Sequence, residues 1–460
     1  DIGTEWVKRD AGYGSLKAEQ LDGVASYVTP SDTLDTINSK LSDSGTIVFK
    51  DGQYNLSGTL QIGSADIDAV IINHGATVKL ADDANPLILN DNAGQDHEIL
   101  FYNNGYSVDL FCHGTLDPNP AQFNDPEAFI WKGAHNSHID GSGGLVVRQG
   151  WVIDSDNATV TNWFSDYSEI SKGTIVAEGC IGTHFENIKK EANDGEVLDL
   201  NNDCQFCTAE NIIGVGVNQV LDCASRQVQI TNVVGKDVGQ IVNIADKPNV
   251  GRFSDRGPLS GGDHIRVNGV KGTVTRQGIT IGPNDTDSNT QLTITGIDIT
   301  QTDGQSPCVE LIENSAIPVN SMVLEGRVYK EFGGSDAVEL NFDGNTDLKL
   351  DLEVVAKDGA GGIAIFGANT VRGMVNVHDT PGSALSLVDG TTNVDLNCQI
   401  RDCNTGVQLK GCSDVHLTGF ATGSNPDILV TTDATAPIKL DMRYGNKNDP
   451  NGTSVEADYT

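Results

Sequence analysis

Positive charge is scarce in this chain of 460 residues: 29 Lys and Arg stand against 64 Asp and Glu, for a formal net charge of −35. A field of that sign repels phosphate backbones and anionic lipid surfaces, so nucleic-acid binding is not expected. No apolar run approaches the ~20 residues that cross a bilayer, so membrane insertion is not expected either. Stretches of Ala, Leu, Glu and Lys at helical spacing are missing, which excludes α-solenoids and coiled coils. Methionine (3) and tryptophan (4) are few. Cys204 and Cys207 form one CxxC, but no second CxxC or His pair accompanies it, so a zinc site of that kind is not indicated. The nine Cys are odd in number and cannot all pair within the chain; small core filling is the reading adopted for them.

Glycine (52) and aspartate (47 of the 64 acids) are abundant. An Asp-rich, Lys-poor surface fits a chain kept soluble in high salt, or one that binds Ca²⁺ through carboxylates. The chain also repeats itself. VTNW (160–163), FENI (185–188), AENI (209–212) and ITNV (230–233) put Asn162, Asn187, Asn211 and Asn232 at spacings of 25, 24 and 21. VLDL (197–200), VLDC (220–223) and IVNI (241–244) form a second series, and Ile363, Leu385 and Val407 follow 22 apart. Each period holds short alternating runs rich in Val, Ile and Thr, broken by Gly, Asn and Asp, with no room for helices. Such a period predicts one coil of a parallel β-solenoid, each strand pairing with its counterpart ~4.8 Å along the axis. Leu198, Leu200, Leu221, Ile244, Ile279 and Ile281 then face a stacked core. The asparagines mark a turn that needs left-handed backbone.

On these residues the chain resembles the right-handed parallel β-helix proteins, the pectate-lyase-like superfamily of polysaccharide lyases, glycoside hydrolases and virus tailspikes. The resemblance spans roughly 31–430, after a leader (1–30) and before a tail (431–460). TLDTINSKLSDSGTIVFKDGQYNLSGTLQI (33–62) is similar to that family's N-terminal cap helix and first coils, with Asp32 expected to cap the helix and Leu34, Ile37 and Leu41 on one face. Two loop excursions are expected: one near 115–135, around PAQFNDPEAFIWKG, and one at 246–264.

On a β-helix the interior is filled, so chemistry sits on outward side chains and neighbouring loops. The alternation places Asp199, Asp222, Asn243, Thr280, Glu310 and Glu339 outward along one strand face. Asp199 and Asp222, one coil apart, bring two carboxylates to roughly 5 Å, which suits retaining glycoside hydrolysis or shared Ca²⁺ coordination. Asp194 and Glu196 lie just upstream. EANDGEVLDL (191–200) is also similar to the NTDGxD segment of polygalacturonase-type hydrolases at Asn193, Asp194, Gly195 and Asp199, one residue off in spacing. The DD and GHG segments of that family do not follow.

Seven cationic or imidazole groups (Arg226, Lys236, Lys247, Arg252, Arg256, His264 and Arg266) fall between 226 and 266, several on the 246–264 excursion, which is expected to lean over Asp222 and Asn243. Arginine forks suit carboxylates and sulfates of an acidic sugar. The resemblance to polysaccharide lyases implies that Arg226, Arg252 or Arg256 removes a proton while Asp199 and Asp222 hold Ca²⁺. Trp131, Trp151 and Trp163 are expected to stack on sugar rings. Asn243, His264 and Arg266 complete the substrate set. Three roles follow. One is a tailspike-like, extracellular host-attachment protein, expected as a homotrimer, binding acidic surface polysaccharide. Another is a secreted polysaccharide lyase or glycoside hydrolase. A structural surface or virion protein without glycan affinity is the third.

Overall fold

The structure, a computed structural model, describes residues 6–9, 13–17, 25–168, 172–201, 204–245, 253–254, 256, 264–282, 290–312, 319–342, 344, 346–431, 433–435, 437–445, 447–448 and 455–457. The chain forms two compact units, one of residues 1–213 with 249–259, the other of 214–248 with 260–460. Both are built of stacked, in-register parallel strands, so the right-handed parallel β-helix expected from the repeat is the fold observed.

In the first unit each coil contributes three short strands. One ladder runs through Gly45–Phe49, Ile67–Ile72, Asp109–Cys112, His138–Asp140, Thr159–Thr161 and His184–Glu186. A second includes Gly52–Leu56, Ala76–Leu80, Thr115–Asp117 and Leu145–Val146. The third includes Asp96–Asn104, Pro126–Lys132, Gly150–Ile153, Ile175–Glu178 and Glu196–Leu200. Phe101, Phe129, Val152, Ile175 and Leu198 are fully buried, as the alternation requires.

The asparagine row is present. Asn162, Asn187 and Asn211 adopt φ of 61°, 56° and 57°. The Asn187 amide donates to Asn162 Oδ1 at 3.0 Å, and Asn211 to Asn187 Oδ1 at 3.0 Å. Each side chain fills a left-handed turn and links it to the coil before, which is why Asn recurs there and not Ser or Asp. Asn187→Ala loses both amide links and strains an alanine at positive φ. It is expected to lower stability by about 1–3 kcal/mol, read from urea unfolding, with Asn187→Gly costing less.

Three local expectations are corrected. The cap helix, Leu34–Lys40, is capped by Thr33, whose hydroxyl accepts from Thr36 N. Asp32 instead accepts from Thr29 N (2.8 Å) and Lys40 Nζ (2.7 Å), closing the turn ahead of the helix. Pro126–Lys132 is no loop but a regular third-ladder strand, buried along almost its whole length, so its sequence shows no alternation. Past residue 430 the coils continue, with Ile438–Tyr444 pairing to Ser413–Thr422.

In the second unit two of the three strands of a coil merge into one long bent strand, as in Val228–Val238, His264–Val274, Thr290–Gln301 and Val319–Lys330. The other ladder runs through Gln219–Cys223, Gln240–Ala245, Ile279–Gly282, Val309–Leu311, Val338–Asn341, Ile363–Phe366, Ser383–Val388 and Thr405–Lys410. Ile363, Leu385 and Val407 stand in register, as their 22-residue spacing predicts. All nine cysteines are buried, as small core filling requires.

Candidate functional site

Period-2 alternation sends every second side chain of the short-strand ladder in the second unit outward. The register stacks Asp222 on Asn243, Asn243 on Thr280, Thr280 on Glu310 and Glu310 on Glu339. The row continues through Ala364, Ser386 and Gln408. Coil spacing separates neighbours by ~4.8 Å. Asp222 Oδ1 accepts from the Asn243 amide at 3.1 Å. Gln277 Nε2 donates to Glu310 Oε2 at 3.0 Å, and the Asn341 amide to Glu339 Oε1 at 3.2 Å. Asp222 and Thr280 are buried, while Asn243, Glu310, Glu339 and Gln408 are half-buried. The result is a line of carboxylates, amides and hydroxyls, interrupted at the buried Ala364, in which Asn243 bonds Asp222 while Gln277 and Asn341, outside the row, bond Glu310 and Glu339.

Beside this row Asp336 has a carboxyl pushed up to about 6, first by burial and then by the negative charge of Glu339. Its folded value lies above its unfolded one, so it favours the fold while protonated. That contribution is present below the ordinary value of 3.8 and is lost as pH rises toward 6. Asp336→Asn is therefore expected to raise the melting temperature at pH 7, by the equivalent of about 1–3 kcal/mol, and to change it little at pH 4.

The sequence-predicted site residues are divided between the two units. Asp199 lies in the first unit, buried, in register with Val176 on the third ladder; Glu196 opens the same strand, and Asp194 bonds the Gly195 N–H of its own turn at 2.8 Å. Asp222 belongs to the second unit. Arg226 follows the strand Gln219–Cys223 and is half-buried. Arg252 lies outside the described residues.

Of the 246–264 excursion, the described residues Phe253, Ser254 and Arg256 pack within the first unit. Arg256 grips Asp156 with two nitrogens (2.6 and 2.9 Å) and donates to Gly179 O at 2.6 Å. A guanidinium so committed is a strut and not a base, and Asp156 raises its pKa further. His264 and Arg266 are exposed on the long strand His264–Val274, in the other sheet from the Asp222 row, so they do not converge on it either.

The tryptophans are also corrected. Trp131 and Trp163 have no exposed surface, and their indole N–H groups donate to Val108 O and Ile139 O at 3.2 Å. Trp151 does sit at an outward register position, in line with Ile130 and Val176, but Phe253 covers it with ring centroids 5.0 Å apart. None of the three offers a face to a sugar. The signal for the row's extension, Ser386 and Gln408, was present: each follows a residue of the 22-spaced Leu385 and Val407 series.

No protein-family model matches this sequence, and no curated protein matches it. Among solved structures, a tailspike protein variant of E. coli bacteriophage HK620 in complex with a pentasaccharide is similar, with TM-score 0.48 and 11% identity over 99% of this chain and 82% of that one. A hyperthermoactive exopolygalacturonase from Thermotoga maritima gives TM-score 0.44 and 11% identity over 76% of this chain and 88% of that one. The catalytic domain of a GH87 α-1,3-glucanase in complex with nigerose gives TM-score 0.35 and 12% identity over 92% and 69%.

Proposed function

We propose that this chain is an extracellular carbohydrate-binding β-helix that takes an extended, hydroxyl-rich glycan along the Asp222–Gln408 row of the second unit. The observation that supports this reading is the register itself: in successive coils from Asp222 to Glu339, and again at Ser386 and Gln408 beyond the apolar Ala364, side chains that accept or donate hydrogen bonds stand at one fixed step. Sugar hydroxyls do both, so they match a row of carboxylates and amides at low desolvation cost. Among the described bases, Arg256 is committed to Asp156 and His264 and Arg266 lie in the other sheet, which favours a neutral polysaccharide. Calcium has oxygen donors to meet here, since Asp222, Thr280 and Glu310 are hard ligands of the kind it prefers. Binding of neutral and acidic oligosaccharides, with and without Ca²⁺, is the test. Glu310→Ala is expected to weaken binding of a neutral glycan about tenfold or more, the cost of a hydrogen bond to a charged group. Preference for acidic glycans, or binding indifferent to Glu310→Ala, overturns the assignment.

A second reading, glycoside hydrolysis, draws on one feature of the same row. Glu310 and Glu339 face each other across one coil step, and carboxyls roughly 5 Å apart suit a retaining mechanism. Release of reducing ends that Glu339→Gln abolishes would establish it. The attachment role brings with it a homotrimer, and the secreted-enzyme role a monomer, so mass in solution separates the two.

A further inference from the structure

Within the first unit, far in sequence from every residue so far assigned a role, a histidine lies among three carboxylates. His97 stands near the start of the strand Asp96–Asn104, and Asp125 and Glu127 flank the start of Pro126–Lys132, the next strand of that ladder. His97 Nδ1 lies 3.0 Å from Glu127 Oε1 and 3.2 Å from Asp125 Oδ2. Nε2 lies 3.3 Å from Asp91 Oδ2, placed there by the antiparallel turn joining Leu87–Asn90 to Asp96–Asn104. His97 and Glu127 are fully buried. Glu127 Oε2 has no hydrogen-bond partner among the described residues.

We infer that His97, Asp125 and Glu127 bind one divalent transition-metal ion, with Zn²⁺ the natural probe. Two ligands about 2.0–2.2 Å from zinc at a tetrahedral angle stand roughly 3.3 Å from each other. The separations about Nδ1 are close to that, and one ligand atom from each of the three residues lies within 4.8 Å of the others. One nitrogen and two carboxylate oxygens suit Zn²⁺ or Mn²⁺ better than a thiolate-seeking ion. The surroundings are arranged as a metal centre needs. The far nitrogen of the histidine meets a carboxylate, Asp91, whose other oxygen accepts from Ala93 N (2.9 Å) and Gln95 N (2.8 Å). Gln149 Nε2 holds Glu127 Oε1 at 3.0 Å. Lys172 and Arg148 hold Asp125 by Oδ1, leaving Oδ2 turned toward His97. Phe253 and Trp151 pack edge-on against the imidazole, with ring centroids at 4.8 and 6.5 Å.

Burial pulls His97 toward the neutral form, while the hydrogen bonds and charges of Glu127, Asp125 and Asp91 raise its pKa. On metal binding the Nδ1 proton leaves to solvent and its lone pair forms the metal bond. The ion would pin two successive coils together.

Full-length protein freed of metal with a chelator should take up one Zn²⁺ per chain by calorimetry, with a higher melting temperature. The Co²⁺ form should show tetrahedral d–d absorption without sulfur charge-transfer bands. Glu127→Gln and Asp125→Asn should remove that uptake, and Asp91→Asn should weaken it about 10–100-fold. Where a variant fails to fold, X-ray absorption of zinc-loaded wild type decides: nitrogen and oxygen ligation with one imidazole supports the site. Sulfur ligation, no stoichiometric uptake, or uptake unchanged in the folded variants would each overturn it, leaving a proton as the only occupant.

Discussion

Trp163→Ala should cost the protein about 3–5 kcal/mol of stability, the ordinary loss when a fully buried large aromatic is truncated. The ring fills a space nothing else can reach. Phe129 packs on it with centroids 5.1 Å apart, and a Cβ at Gly141 would lie 2.5 Å from its ring atoms. The indole N–H is spent on Ile139 O, so truncation also leaves a buried carbonyl without its donor. Urea or thermal unfolding gives the measurement. The same substitution, made in a background stabilised enough to stay folded, should leave glycan affinity unchanged. If affinity falls while stability holds, Trp163 is a sugar platform after all and its place in the core is wrong.

The second large effect concerns a close approach of backbones in the second unit. Gly272 adopts φ of +135°, and a Cβ there would stand 1.7 Å from the carbonyl oxygen of Gly235, its register partner one coil away. Neither atom belongs to a flexible side chain, so relief requires moving a strand. Gly272→Ala combines a strained φ with an overlap, each worth about 1–3 kcal/mol, for a total on the order of 4 kcal/mol. Gly282→Ala serves as the control, because a Cβ there meets nothing within 4 Å. A change of under about 0.5 kcal/mol is expected for it. Equal melting temperatures for the two variants would contradict the bend.

These residues also show why sequence reading succeeded in some places and not in others. Asn162, Asn187 and Asn211 were legible because two demands coincide on one residue type: a left-handed turn, and an amide that both donates and accepts. The outward row from Asp222 to Glu339 was legible because alternation and period together fix which side chains share a flank. Aromatic rings carry no such information. Trp131 points inward by parity and Trp163 is buried from the turn after Asn162, while Trp151 points outward and is hidden by Phe253, a residue about a hundred positions later. Arg256 looked like a free base because its partner, Asp156, is similarly remote in the chain, and nothing in a period announces that bond. The His97 cluster escaped for a related reason. Asp91 reaches it through an antiparallel turn, which interrupts the repeat instead of following it.

The segment around Phe253 has a bearing on biosynthesis. Glu178 Oε2 accepts from the backbone N–H of Phe253 at 2.7 Å, Lys132 donates to its carbonyl at 2.8 Å, and Ser254 Oγ donates to Asp154 at 2.6 Å. A ribosome making this protein from the N-terminus delivers those three partners roughly a hundred residues before the piece that fastens them. During that interval Trp151 and Glu178 wait bare, and chaperone capture of the nascent chain would fall in the same window. An expression fragment ended at residue 213 would be born with that wound permanently open, whereas one carried through 259 would close it.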